Sequence, residues 1–246
     1  IDVAGMRTGC GSAIFDQAPP ASADAGCVAA LRGAGGIVLG KTVTTEFGYF
    51  APGPTINPHR PTRGTAPHTP GGSSSGSAVA VASGMVPFAF GTQTAGSLTR
   101  PASYCGVAGL VAPIHAIPTD GVTGLSHSLD SIGFLAATAA DLRIAYTAIS
   151  GTPAPAQGAR RPPRLLVWDG TDIAPVSGDM LSGLHLAISA ARTRGALVES
   201  LGSAAAVRDL VPLHMSVMAY EAACTHKWVL SRKNEVSGPL ADLLSS

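Results

Sequence analysis

The sequence predicts an α/β protein whose mixed central β-sheet is sandwiched between helices. Three observations carry that expectation. Short apolar runs that read as strands alternate with helical segments along the whole chain. Hydrophobic residues make up 46% of the 246 and charged residues only 13%, a composition that can bury a substantial core. Thirty glycines and nineteen prolines supply many turns and leave room for long loops around a site.

Taken in order, Ala21 to Gly33 reads as an alanine-rich helix with Val28 and Leu31 on its apolar side. Gly36 to Gly40, an Ile-Val-Leu run between glycines, reads as a short buried strand. Residues 51–70 hold six prolines and no apolar periodicity, so they read as a surface loop. Ser77 to Gly84 is a small-residue helix suited to close packing on a sheet, and Val86 to Gly91 is a second strand. Pro101 opens a short helix through Tyr104, and Val107 to Val111 is a further buried segment. Thr138 to Ser150 reads as a helix with Thr138 as its N-cap.

Gly151 to Arg164, rich in proline and arginine, resembles a crossover linker. Leu165 to Trp168 then reads as a strand, Gly178 to Arg194 as an amphipathic helix, Ala196 to Val198 as a strand, and Leu210 to Leu230 as a long helix. The expected organisation is one domain over 1–246, with a core over 1–150, a linker over 151–164 and a peripheral α/β part over 165–246.

Charge and cysteine usage exclude several functions. The net charge is +1 with scattered Lys and Arg, which argues against nucleic acid or an anionic membrane as partner. No apolar run approaches the length of a membrane span. The four cysteines form no Cys-x-x-Cys pair, so neither a disulfide framework nor a zinc site is expected, and a cytoplasmic setting is.

The chemistry concentrates in two turns, Gly71-Gly72-Ser73-Ser74-Ser75-Gly76-Ser77-Ala78 and Gly91-Thr92-Gln93-Thr94-Ala95-Gly96-Ser97. Glycine beside a hydroxyl frees backbone N–H groups and permits tight conformations. A flexible linker is the bland reading, but an apolar helix follows directly from Ala78. A phosphate cradle is disfavoured too, because neither a P-loop nor a Gly-x-Gly-x-x-Gly pattern is present. A serine nucleophile needs a base. The histidines at 59, 68, 115, 127, 185, 214 and 226 form no recognisable triad signature, so a Ser-His-Asp site is unsupported. The alternative is a relay in which Ser97 attacks, Ser73 passes the proton and a neutral lysine accepts it. The backbone N–H groups of Thr94, Ala95, Gly96 and Ser97 would then bind the oxyanion, each donor contributing about 3 kcal/mol.

These two turns, with Arg100-Pro101-Ala102-Ser103-Tyr104-Cys105-Gly106, closely resemble the amidase signature family. Ile1 to Thr8, Gly40-Lys41-Thr42 with Glu46-Phe47, Asn57-Pro58 and Ser128 to Gly133 resemble further blocks of it. The resemblance runs from Ile1 to about Ser150 and weakly beyond. It implies that Ser97 is the acyl-forming nucleophile, that Ser73 relays its proton from a cis peptide linkage, and that Ser74 supports them. The implied reaction is hydrolysis of a small-molecule carboxamide through an acyl-enzyme, with no metal or organic cofactor, and a homodimer is open.

The family's lysine aligns just before Ile1, and relatives extend past Ser246, so the fold is expected to be incomplete at both ends. Lys41 is the tempting substitute, but relatives carry a residue here beside their catalytic lysine, so it reads as structural. A non-catalytic amidase-like scaffold that has lost the lysine is the competing reading. Gln93 replaces a common Asp, and Ser97-Leu98-Thr99-Arg100 replaces a Ser-Ile-Arg run, which favours a free-standing hydrolase of small or aryl amides over tRNA-dependent amidotransfer. Arg100 reads equally as a carboxylate anchor or a helix–loop hydrogen-bond donor. Asp130 reads as a loop-fixing residue and Cys105 as a small buried one.

Overall fold

A computed structural model describes residues 1–51, 53–59, 66–153, 161–202 and 205–245, apart from the side chains of 205 and 206. Two compact units emerge, one of Ile1–Ala154 with Val217–Ser246 and the other of Pro155–Ser216.

The first unit is built on three antiparallel strands, β1 (Phe88–Gln93), β2 (Ala108–Val111) and β3 (Ser131–Ala136), in the order β1-β3-β2. The central strand β3 is buried along its whole length. Its side chains alternate between two cores, as strand geometry requires. Ile132, Phe134 and Ala136 pack with Val28 of α1 (Gly26–Gly33) and with Leu142 and Ile149 of α4 (Ala139–Ser150). Leu135 faces the other way, against Ala78 and Val81 of α2 (Ser75–Ala82) and Ala102 and Cys105 of α3 (Thr99–Cys105). Helices therefore cover both faces of this sheet, in keeping with the expected fold class.

Several local expectations hold with small shifts. Thr138 caps α4 by accepting from the Asp141 N–H at 3.2 Å, and Gly151 ends the helix at φ 67°. The first helix starts at Gly26 rather than Ala21, because residues 21–25 pair with the N-terminal segment: Ala21 N–H donates to Met6 O and Ala25 N–H to Asp2 O. The apolar run 36–40 is not a strand. It pairs with no strand among the described residues, and Ile37 and Leu39 are 82% and 73% exposed. Periodicity cannot separate a buried strand from such a run. The described part of the 51–70 loop contains no helix or strand, and residues 52 and 60–65 of it lie outside the described residues. The same holds for 154–160 of the linker.

A further core joins Ile14, Phe47 and Leu125 to Met218 and Ala222 of α6 (Ala205–His226) and to Leu240 and Leu243 of α7 (Gly238–Ser245). The long helix expected over Leu210–Leu230 thus begins and ends earlier, and a 3-10 segment, Lys227–Glu235, follows it.

In the second unit, β4 (Arg164–Val167) and β5 (Leu197–Ser200) pair in parallel, joined through α5 (Gly178–Thr193). Ser177 caps α5 by accepting from the Met180 N–H. No residue of α5 is buried. No helix among the described residues is long and apolar enough to cross a membrane.

Candidate active site

The first serine turn enters α2 through a cis peptide bond between Gly72 and Ser73. Ser73 is buried at 5% exposure, and its carbonyl accepts from Thr44 Oγ1 at 3.0 Å, the Thr45 N–H at 3.3 Å and the Ser75 N–H at 2.8 Å. An extended segment over Thr42–Thr45 thus runs beside the turn, and the Thr42 and Ser77 hydroxyls meet at 2.7 Å. Gly71 sits at φ +74°, and a Cβ on it would lie 3.1 Å from Pro101 Cα, so this turn accommodates only glycine there.

The second turn joins β1 to α3. Ser74 binds the two turns together. Its hydroxyl bridges both backbone groups of Thr92 at 3.3 Å, and its N–H donates to Ser97 O at 3.0 Å. Gln93 shapes the turn from within, its Oε1 accepting from the N–H groups of Leu98 and Thr99 and from the Thr99 hydroxyl, each at 3.0 Å. These bonds lie downstream of the N–H groups of Thr94, Ala95, Gly96 and Ser97, the expected oxyanion donors. Leu98, fully buried, anchors the turn to the sheet. A Cβ on Gly91 of β1, Gly109 of β2 or Gly133 of β3 would lie 3.0, 3.0 or 2.5 Å from one of its methyl groups.

A cavity of about 230 Å³ in the first unit is lined by Ser73, Thr92 and Thr94. Ser97 is not in that lining; its carbonyl accepts from the N–H of Ser74, the residue after Ser73. The lining also includes Phe47, Gly48, His115 and His127. Phe47 and Gly48 are both left-handed, at φ 49° and 72°, which presses Gly48 toward Ser73: a Cβ on it would lie 3.6 Å from Ser73 Oγ. A bulky residue rarely adopts that conformation. Here the Phe47 ring is clamped edge-on against His226 at 5.0 Å and beside Phe15 at 5.5 Å.

The other residues singled out from the sequence are held by contacts within the first unit. Asp130 accepts from the N–H groups of Leu125 and Ser126 at 2.6 and 2.9 Å and from the Thr94 hydroxyl, which fixes its loop against the second turn. Arg100 donates to Gly72 O at 3.4 Å. Lys41 donates to Thr8, which in turn donates to Asp2. Burial lowers the Lys41 pKa, with the Asp2 charge working against it. Cys105 is buried, which raises its thiol pKa. Three contributors escaped the sequence reading: Gln93 as a capping acceptor, the Phe47-Gly48 pair, and Glu221. Glu221 reaches the Ser126 hydroxyl from 95 residues away, a separation with no local signal.

Comparison with known proteins gives this arrangement its class. Over 99% of its length the chain superposes on a solved amidase with a TM-score of 0.82 at 26% identity, covering 56% of that chain. A peptide amidase from Stenotrophomonas maltophilia matches over 100% of this chain and 54% of its own, with a TM-score of 0.70 at 28% identity. The architecture is thus that of an amidase-type α/β protein. The chain belongs to the amidase family, whose model matches residues 1–191.

Among curated relatives, a glutamyl-tRNA(Gln) amidotransferase subunit of Chromohalobacter salexigens is 34% identical over 243 residues, 88% of this chain and 46% of its own. The AtzE subunit of the 1-carboxybiuret hydrolase of Pseudomonas sp. strain ADP is 41% identical over 156 residues, 61% of this chain and 33% of its own. The chain spans between about a third and a half of the length of these relatives.

Proposed function

We propose that the protein hydrolyses a carboxamide through an acyl-enzyme on Ser97, with Ser73 relaying the proton to a lysine that precedes Ile1. The observation that carries this reading is the junction of the two turns. Ser73 lines the cavity, and the N–H of the next residue, Ser74, donates to the carbonyl of Ser97 at 3.0 Å. Membership of the amidase family supports it.

In the proposed cycle Ser97 Oγ attacks the amide carbon while its proton passes to Ser73 and the Ser73 proton passes to the neutral lysine. The oxyanion is held by the N–H groups of Thr94 to Ser97, where preorganised donors are worth about 3 kcal/mol each. The proton returns through Ser73 to the departing nitrogen, so that an amine or ammonia leaves. Water then attacks the acyl-serine by the same relay and releases the carboxylic acid. A cavity of about 230 Å³ lies below the roughly 300–1,000 Å³ of drug-sized pockets, which favours a small amide over a macromolecular one.

Homodimeric assembly in the cytoplasm completes the proposal, and light scattering on the purified protein tests the dimer. The catalytic core of the reading is tested by fluorophosphonate labelling of the full-length protein. A Ser97-dependent adduct that disappears in Ser97→Ala is expected, together with ammonia release from a small amide. A protein that labels equally with and without Ser97, or releases no ammonia from any amide, is the scaffold of the competing reading.

A further inference from the structure

One arrangement in the cavity wall has no part in the proposed proton relay. His127 lines the cavity at its exposed mouth, and its Nε2 lies 3.4 Å from Oε1 of Glu221. Glu221 itself is nearly buried on α6, and its other oxygen, Oε2, accepts from the Ser126 hydroxyl and from the Ser128 N–H at 3.0 Å. Burial opposes its charge, but these hydrogen bonds work against that and its carboxyl is held below the usual range. In the neutral ring with its proton on Nε2, toward that carboxylate, Nδ1 is a hydrogen-bond acceptor. Beside His127, Asp130 and His115 are the titratable side chains among the described residues of the wall, Glu221 standing behind it, and no lysine or arginine is among them. A relay lysine that acts as a base enters the cycle neutral, so it does not offset these carboxylates.

We propose that the cavity selects amides whose far end carries an ammonium or another N–H donor, with His127, held by Glu221, as the specificity-determining residue. The inference rests on the amide-hydrolysis reading. A substrate carboxylate entering here meets Asp130 in the wall and Glu221 behind His127, with no lysine or arginine among the described lining residues, and like charges in a partly desolvated site repel. A substrate ammonium meets attraction from both and an acceptor in Nδ1.

Three amides of matched size test it: butyramide, β-alaninamide and malonamate, ending in methyl, ammonium and carboxylate. With full-length protein at pH 7.5, kcat/KM for β-alaninamide is expected to exceed that for butyramide by about tenfold, with malonamate slowest, and added salt narrows the spread. Glu221→Gln should shrink the ammonium-to-methyl ratio. Because a buried Glu221 substitution can unfold the protein, His127→Lys at the exposed mouth is the second variant, and it should shift preference toward malonamate. Calorimetric binding of β-alaninamide and malonamate to the Ser97→Ala protein reads the same preference without turnover. Tighter binding of β-alaninamide with no hydrolysis of any amide would overturn the hydrolytic reading and leave the cavity assignment standing. Equal binding, or a preference for malonamate, overturns the cavity assignment whatever the turnover.

Discussion

Replacing Gln93 by methionine keeps the length of the side chain and removes the oxygen that three donors share. The consequences are unequal among the three. Leu98 is fully buried, so its N–H loses its partner with no easy access to water, at a cost of about 1–3 kcal/mol. Thr99 is exposed, so its N–H and hydroxyl turn to solvent at little cost. A net loss of about 2 kcal/mol follows, which lowers the melting temperature of a domain this size by roughly 4–8 °C.

Gln93→Glu separates the hydrogen bonds from the charge. It keeps an acceptor for all three donors and places a negative charge at the start of α3, worth about 0.3–1 kcal/mol. Its melting temperature should equal or exceed that of the wild type. The two variants are compared by thermal unfolding and by the rate of fluorophosphonate labelling. If the turn positions Ser97, Gln93→Met should also label on the order of tenfold more slowly, since each 1.4 kcal/mol of misplacement is a factor of ten. The reasoning fails if Gln93→Met melts within about 1 °C of wild type and labels at the same rate, or if Gln93→Glu is equally destabilised.

Two further predictions concern stability. His226 is buried, with Nε2 2.7 Å from Gly124 O, and burial lowers its pKa from 6.5 despite that hydrogen bond and the Asp130 charge. The unfolded chain therefore takes up the proton first, so the contribution of His226 is complete above about pH 6.5 and is lost as pH falls below it. Urea unfolding at stepped pH should show a slope in this window of up to about 1.4 kcal/mol per pH unit, absent in His226→Gln. Gly133→Ala puts a Cβ 2.4 Å from Leu110 O and 2.5 Å from Leu98 Cδ1. It should cost at least about 1–3 kcal/mol as an overpacking change, and an unchanged urea midpoint would contradict the packing described.

What could be read from the sequence follows the range over which each structure is decided. The α4 cap is a contact between Thr138 and Asp141, three residues apart, and it was legible. So were the two serine turns, whose glycines mark them locally. Strand β3 was not, because both its faces are covered and its Ser-Ile-Gly-Phe-Leu-Ala pattern shows no apolar–polar alternation. The 36–40 run failed for the opposite reason, being apolar without a sheet to join. The cavity wall was the least legible part. The Glu221 contacts with 126–128 and the His226 clamp on Phe47 depend on the last turns of α6 packing within the first unit, and nothing near residues 47 or 126 announces it.

The seat of Leu98 has a consequence for how such a site can change. Three strands each give up a side chain so that one leucine, adjacent to Ser97, can press onto the sheet. The loop bearing Ser97 therefore inherits the stiffness of the sheet rather than the freedom of a glycine-rich turn. Positions 91, 98, 109 and 133, spread over 43 residues of sequence, meet at the methyl groups of one side chain. Only Leu98 can give up volume, and a Cβ at 133 would still meet the Leu110 carbonyl, so in descendants of this chain the glycine at 133 should persist even where residue 98 becomes smaller, while the loops around it vary independently.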